Sequence, residues 1–383
     1  MRFGCVLGLI ALFLLGCRGN REQKEAIPST VTQTWIPRYA KGFYVEQTQS
    51  GVDYLYIKSP WPGSTKTFRY ALVPGAELKE YQRDLHAVDG VIGIPAKRVI
   101  LTSTTHVPAL ETLNVHETLV GFPGLQYISS EGTRKRMASG EVQELGANEN
   151  LNTEMVVALD PDLVVGFGVS GAPSAYKTLE ASGIPVVYNG DWMEENPLGK
   201  AEWIVFFGLM FGKQEAAIKA FEDVEKAYLE ARSLAAGAAN TPTVLSGSLY
   251  RDIWYLPGGK SWAAQFIADA NAEYLWRDTD ETGSLSLSLE SVLEQGAEAD
   301  FWIAPSQFKR YVDMEEAEVH YRQFRAFRER NIYTYALSQG PGDGLWYYEL
   351  GPSRPDLVLK DLIYWFHPGL LKNYEPFFFK PLQ

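Results

Sequence analysis

Cysteine is nearly absent from this 383-residue chain, which contains only Cys5 and Cys17, both close to the N-terminus. The sequence after residue 17 therefore has no thiol, which excludes disulfides, thiolate metal sites and cysteine nucleophiles there. Histidine is also scarce, with five residues in the whole sequence, and these are scattered without H-E-x-x-H spacing. The G-x-S-x-G pattern of serine hydrolases is absent from the sequence as well. We therefore predict no catalytic residues, no cofactor and no metal held by protein side chains.

Positive charge is in deficit, with 35 Lys and Arg against 47 Asp and Glu and a formal net charge of −12. An acidic chain of this kind argues against nucleic acid as a partner. Long apolar runs are also lacking, since after the first run no stretch approaches the roughly 18 to 20 residues that cross a bilayer. The rest of the chain is therefore expected to fold outside the bilayer.

The one apolar run begins after Arg2 and ends in Leu14-Leu15-Gly16-Cys17, the pattern of a bacterial lipobox. The run is too short for a permanent membrane span, and the small Gly16 suits cleavage by the lipoprotein signal peptidase. We predict a signal peptide over 1–16, lipid attachment at Cys17 and a flexible tether over 17–36. The alternative is an uncleaved anchor or an ordinary signal peptide. We therefore predict that the protein is exported and anchored to a membrane by lipid, on the periplasmic or cell-surface side.

The rest of the sequence divides into an extension, two lobes and one long helix. Three β-rich runs separated by turn residues predict an antiparallel meander within a β-rich extension over 37–95. From about residue 97, short β-branched runs alternate with helical patterns, which is typical of βαβ units and mostly parallel sheets flanked by helices. Uninterrupted helical periodicity predicts an interlobe helix within 214–238. We predict an α/β fold with lobes over 96–213 and 239–383, and little lobe movement, because a single helix offers no hinge loop.

A glycine-rich stretch, Gly166-Phe167-Gly168-Val169-Ser170-Gly171, matches the dinucleotide-binding pattern G-x-G-x-x-G. Another βα unit precedes it, Pro173 falls in the first helical turn, and an exported lipoprotein has little access to NAD. We interpret it as a turn at the lip of a cleft. His106 directly follows an apparent strand, at the position where open α/β sheets place ligands, so it is a binding candidate, with capping or packing as the alternative.

Several segments together resemble the substrate-binding proteins of ABC importers for iron chelates and cobalamin, in which a single rigid helix joins two lobes. The resemblance covers roughly residues 95–370. The segments that show it include RVILTSTTHVPALETLNVHETLVGF, VVALDPDLVV, LPGGKSWAAQFIADANAEYLW and RPDLVLKDLI. NPLGKAEWIVFFGLMFGK and the β-rich extension are similar to a Bacteroidetes-type branch. The resemblance implies a monomer that works with ABC permease and ATPase subunits. It implies a ferric siderophore, haem or corrinoid as the ligand.

Glu154 and Glu290 occupy matching places, each at the start of a helix that leads into a strand, one in each lobe. In the resembled family one such glutamate per lobe docks onto arginines of the membrane permease, so the resemblance implies a docking role for both. Exposed carboxylates on the two lobes would let the permease hold both lobes at once. The alternative is that both acids merely stabilise a helix N-terminus.

The resemblance also places the ligand pocket between the lobes, in loops at the strand ends. The candidates there are Thr104, Thr105, His106, Gly168, Trp192, Tyr250, Arg251, Trp254 and Trp346. Aromatic faces with a cation suit a planar or amphipathic chelate, although packing is the alternative for each aromatic. The leading interpretation is a chelate-binding protein. The alternatives are a cobalamin-specific binder, a surface lipoprotein that captures ligand, and a chelatase-like enzyme using His106 with Asp191.

Overall fold

The structure is a computed structural model that describes residues 30–84 and 87–383. The predicted signal peptide, the predicted lipid-attachment site Cys17 and most of the predicted tether lie outside these residues. Among the described helices, none combines the length and the hydrophobicity that a bilayer span requires. The chain is a mixed α/β protein whose parallel sheets are flanked by helices in two lobes, so the predicted fold class is confirmed.

The N-terminal extension is a five-stranded sheet in the order β1-β2-β3-β4-β5. Its elements are β1 (Val31–Trp35), β2 (Phe43–Thr48), β3 (Asp53–Lys58), β4 (Thr67–Pro74), α1 (Leu78–Asp84) and β5 (Gly90–Ile94). The first four strands pair antiparallel, whereas β5 lies parallel to β4. The predicted tether extends too far along the chain, to residue 36. Residues 31–35 already form a strand that pairs with β2, and Trp35 packs against Phe43.

The N-terminal lobe is built on a parallel sheet in the order β12-β11-β6-β7-β8. Its strands are β6 (Val99–Leu101), β7 (Leu119–Phe122), β8 (Gln143–Glu144), the short pair β9 (Gly146–Ala147) and β10 (Asn150–Leu151), β11 (Leu163–Gly166) and β12 (Val186–Tyr188). Its helices are α2 (Val107–Thr112), α3 (Glu131–Ala138), α4 (Thr153–Leu159), α5 (Ser174–Ala181), α6 (Pro197–Glu202) and α7 (Ile204–Met210). Continuous apolar runs such as β6 are buried on both faces, as parallel sheets require.

The long helix α8 (Gln214–Ala235) has 22 residues and leads from the first lobe to the second. Its buried side chains recur at helical spacing along one face and include Ala217, Phe221 and Tyr228. At about 1.5 Å per residue the helix is roughly 33 Å long, which is enough to connect two lobes. The N-terminal half of its apolar face packs against α7 of the first lobe.

The C-terminal lobe is built on a sheet in the order β16-β13-β18-β19-β20, parallel except for β20. A separate antiparallel sheet has the order β14-β15-β17. The strands are β13 (Thr243–Ser246), β14 (Ser248–Tyr250), β15 (Ile253–Pro257), β16 (Glu273–Tyr274), β17 (Ser284–Leu287), β18 (Phe301–Ile303), β19 (Ile332–Thr334) and β20 (Lys380–Pro381). The helices are α9 (Trp262–Asp269), α10 (Leu289–Gly296), α11 (Tyr311–Ala317), α12 (Arg325–Arg328), α13 (Trp346–Leu350) and α14 (Pro355–Phe366), and α14 packs against α8.

Candidate ligand-binding cleft

A cleft of about 410 Å³ lies between the two lobes. The N-terminal lobe lines it with residues that follow β6, β7 and β11, chiefly Ser103, Thr104, Pro123, Tyr127 and Phe167. The C-terminal lobe lines it with residues that follow β18 and β19, chiefly Gln307, Lys309, Gln339, Asp343 and Tyr348. The cleft thus lies beyond the carboxyl ends of parallel strands, where open α/β sheets bind ligands.

The loop after β6 is held in place by hydrogen bonds of its own side chains. The Ser103 hydroxyl accepts from the backbone N–H of Thr105 at 3.3 Å, and the Thr105 hydroxyl donates to Asp191 at 3.0 Å. Asp191 is in turn fixed because its N–H donates to the side chain of Asn189 at 2.8 Å. Thr104 therefore faces the cleft, whereas Thr105 joins this supporting network.

His106 is buried in the N-terminal lobe, and its prediction as a ligand-binding residue is wrong. The side chain is 0% exposed, and its ring lies 5.5 Å from the ring of Phe207. Burial lowers the pKa of His106 to about 4, although the charge of Asp191 opposes the shift. The short 3₁₀ turn Thr104–His106 runs directly into α2 and directs the imidazole into the core. Packing, the alternative, is what the structure shows.

Trp254 is also a core residue, so its predicted role as a ligand-stacking face is wrong. It is 0% exposed, its Nε1 donates to the carbonyl of Ser246 at 3.0 Å, and its ring lies 5.2 Å from that of Trp302. Side chains alternate along β15, so Ile253 and Tyr255 point outward where Trp254 points inward. The run Ile253–Leu256 is apolar or aromatic at every position, so the sequence alone does not indicate which of its side chains face the core.

Three further candidates are not among the residues that line the cleft. Gly168 is packed so closely that an added Cβ would lie 2.2 Å from the carbonyl oxygen of Gly171, and the neighbouring Phe167 reaches the cleft instead. The loop is a glycine-rich turn at the lip of the cleft. Trp192 is half-buried behind the Asp191 network, and the half-buried Trp346 packs beside Phe377 with ring centroids 6.1 Å apart.

A second cavity, which we name the C-lobe hollow, has a volume of about 480 Å³ and shares Tyr348 with the cleft. Its aromatic lining comprises Tyr250, Tyr255, Trp262, Phe266, Tyr335, Tyr347 and Phe379. The rings of Tyr335 and Tyr347 stack with centroids 4.6 Å apart, and the hydroxyls of Tyr335 and Tyr348 are 2.9 Å apart. Tyr250 therefore belongs to the hollow. Arg251 stands at its outer edge, with its guanidinium 5.3 Å from the Tyr250 ring centroid.

The lobes touch beside the cleft through the carboxylate of Glu349 in α13. It accepts hydrogen bonds from the backbone N–H groups of Ser129 and Ser130, the second at 2.8 Å, and from the Ser130 hydroxyl. We name this contact the Glu349 bridge. Glu349 is 1% exposed, and burial raises its pKa while the bonds from the two serines oppose that shift. Glu349 has no local sequence signal for this role, because its partners lie 220 and 219 positions away in the chain.

A glycine-rich loop before α13 completes the contact between the lobes. The N–H of Asp343 donates to the carbonyl of Gln126 at 2.9 Å. A Cβ on Gly344 would lie 1.9 Å from the carbonyl oxygen of Tyr127, so a larger residue is excluded there. The repeated glycines of SQGPGDG were the available signal for a close backbone approach.

Glu154 and Glu290 lie in the exposed first turns of α4 and α10. Both helices are capped by a side chain, with Asn152 accepting from the N–H of Met155 at 3.1 Å and Ser288 from that of Ser291 at 3.2 Å. Since α4 leads into β11 and α10 leads towards β18, both N-termini lie at the carboxyl edge of their sheets. Hydrogen bonds from its own backbone N–H and from Ser288 lower the pKa of Glu290 and favour its charge.

Comparisons with known proteins agree with this geometry. A family model described as periplasmic binding protein matches residues 99–336. A protein of Methanocaldococcus jannaschii named as an uncharacterized lipoprotein is 27% identical over 299 residues, which cover 76% of this chain and 69% of that protein.

Solved structures have a similar fold. A possible iron-binding protein of Staphylococcus epidermidis superposes with a TM-score of 0.56 at 18% identity, over 71% of this chain and 99% of that one. The periplasmic heme-binding protein RhuT of Roseiflexus sp. RS-1 superposes with a TM-score of 0.54 at 21% sequence identity, over 72% of this chain and 99% of that one. The periplasmic vitamin B12 binding protein BtuF of Vibrio cholerae superposes with a TM-score of 0.52 at 13% sequence identity, over 73% of this chain and 99% of that one. This chain therefore has a segment that these structures lack.

Proposed function

Because this chain belongs to the periplasmic binding protein family, we propose that it is the substrate-binding lipoprotein of an ABC importer. In this proposal it binds an iron chelate, haem or a corrinoid between its lobes and delivers it to the permease and ATPase subunits. The observation that carries the proposal is the interlobe cleft at the carboxyl ends of the parallel strands.

The ligand class is supported by the chemistry of the cleft and by the similar structures. Proteins named for binding iron, haem and vitamin B12 have this fold. Tyr127, Phe167 and Tyr348 offer aromatic surface to a large flat or amphipathic ligand. Such a ligand is held by its organic shell, so the protein need not supply a ligand to the metal ion itself.

Membrane attachment and permease docking complete the proposal. Lipid on Cys17 would hold the folded body at the membrane surface, in keeping with the lipoprotein name of the archaeal relative. Glu154 and Glu290 would dock onto the permease, because both are exposed and both lie at the edge of the sheets where the cleft opens.

The enzyme alternative rested on His106 with Asp191, and the structure removes that pair from the cleft. Both residues are buried, and Asp191 already accepts a hydrogen bond from Thr105. The capture alternative differs from import in its partners. Permease and ATPase genes beside this gene would favour import, whereas their absence would favour capture.

Titration of the purified protein against ferric siderophores, haem and cobalamins, followed by tryptophan fluorescence, tests the proposal. One class is expected to quench with submicromolar affinity, since these chelates absorb light. Tyr348→Ala should weaken that binding by about 1 to 3 kcal/mol, because it removes an aromatic face of the cleft.

Tyr44→Ala, in the N-terminal extension, is the matched control and should bind like the unsubstituted protein. Trp254→Ala is unsuitable as a test of stacking because that ring lies in the core. Tight binding of an unrelated solute, with no response to the three chelate classes, would contradict the ligand assignment.

A further inference from the structure

The charges that line the cleft are few and balanced. Lys309 and Asp343 are the charged side chains among its lining residues, and they have opposite signs. The Lys309 ammonium donates to the side-chain oxygen of Gln339 at 2.9 Å. The remaining polar groups are neutral hydroxyls and amides, which include Thr104, Gln307 and the two tyrosines, Tyr127 and Tyr348. The cleft therefore has no excess of positive charge.

The adjoining C-lobe hollow contains no Asp, Glu, Lys or Arg among its lining residues. Its polar groups are serine and tyrosine hydroxyls, such as Ser246 and Ser284, set among aromatic rings. At its outer edge Arg251 lies over Tyr250, and Asp252 follows it directly in the chain. The hollow thus offers apolar surface and hydrogen bonds to a neutral group.

Two cations of the N-terminal lobe are engaged with backbone carbonyls of that lobe, and one of them, Lys200, lies 5.2 Å from the ring centroid of Trp262 in the C-lobe hollow. The guanidinium of Arg134 donates to the carbonyl of Ile128 at 2.9 Å. The ammonium of Lys200 donates to the carbonyls of Asp191 and Trp192 at 3.1 and 3.0 Å. The chain as a whole has a net charge of −12, which repels anions at long range.

Resting on the proposed function, we infer that the ligand is a chelate of zero net charge with a partly apolar shell. A buried charge without a partner is costly, and this site supplies one ammonium opposed by one carboxylate. Three hydroxamate monoanions cancel the charge of Fe³⁺, whereas three catecholate dianions leave three negative charges. The cleft therefore favours a ferric trihydroxamate or a neutral corrinoid and rejects a ferric tricatecholate.

The test compares four probes on the full mature protein: ferrichrome and cyanocobalamin, which are neutral, and ferric enterobactin and haem, which carry negative charge. At least one neutral probe is expected to bind with submicromolar affinity, and ferric enterobactin about 100-fold more weakly than that probe. Binding of ferric enterobactin or haem as tight as that of the best neutral probe would overturn the inference and leave the proposed function standing. Failure of all four to bind would instead contradict the proposed function.

A charge series at Gln307, which is exposed at the cleft, makes the test independent of ligand shape. Gln307→Lys should strengthen binding of ferric enterobactin about tenfold and Gln307→Glu should weaken it about as much, while the neutral probe changes by less than about threefold. The exposed Gln143→Lys is the matched control and should leave all affinities unchanged. Equal responses of the anionic and neutral probes to the two Gln307 variants would overturn the inference.

Discussion

Replacing Glu154 and Glu290 together by lysine is expected to reduce import of the ligand at least about 100-fold while leaving ligand affinity nearly unchanged. Both carboxylates are exposed in the first turns of α4 and α10, outside the cleft lining. Lysine at these positions would set positive charge against the arginines that we propose on the permease side of both contacts, so the double reversal should be more severe than the double alanine variant. Uptake of radiolabelled ligand by cells gives the first quantity, and titration of the purified variants gives the second.

The matched control is Glu117→Lys/Glu298→Lys, which makes the same change of charge at two other exposed glutamates. Glu117 precedes β7 and Glu298 precedes β18, so both lie at the opposite edge of the sheets from the cleft. This control should import ligand normally. If the variants of Glu154 and Glu290 lost affinity as much as uptake, the docking role would be wrong.

The second large effect is expected at the Glu349 bridge. Glu349→Ala leaves three buried donors of Ser129 and Ser130 without an acceptor, at a cost of about 3 kcal/mol or more. Because these donors belong to one lobe and Glu349 to the other, the variant can relieve that cost by separating the lobes. We therefore expect a lower melting temperature together with a larger radius of gyration in small-angle scattering of the ligand-free protein.

Two variants distinguish the bridge from general damage. Glu349→Gln keeps a side-chain oxygen acceptor and should have a smaller effect than alanine. The exposed Glu375→Ala changes charge equally and should leave both quantities unchanged. The unsubstituted protein should compact only slightly on binding, since α8 is one continuous helix. A radius of gyration for Glu349→Ala equal to that of the unsubstituted protein would show that the bridge does not hold the lobes together.

The fold was predictable because its signals are local. The strand β6 is indicated by its own continuous apolar run. The helix α8 is indicated by the helical spacing of its apolar residues, which include Ala217, Phe221 and Tyr228. The N-terminal boundary was harder to predict, because the polar strand β1 is defined by its pairing with β2 and has little hydrophobic pattern of its own.

The location of the candidate cleft at the strand ends could be predicted from the sequence. The identity of most side chains that line it could not. The strand ends indicated Thr104, which lines the cleft, and also His106, which is buried in the core two residues later. Tyr127, Tyr348 and Glu349 were missed because their roles depend on contacts between lobes. Glu349 meets Ser130 across 219 positions of sequence, a distance over which periodicity carries no information.

Hydrogen–deuterium exchange with and without the tightest-binding chelate tests the central claim, that the ligand lies between the lobes, most directly. The account predicts slower exchange in 103–106, 124–128 and 338–348 on binding, which flank the cleft from both lobes. It predicts no change in the five-stranded extension over 31–94. Protection confined to the extension or to one lobe, with unchanged exchange across the cleft, would contradict it.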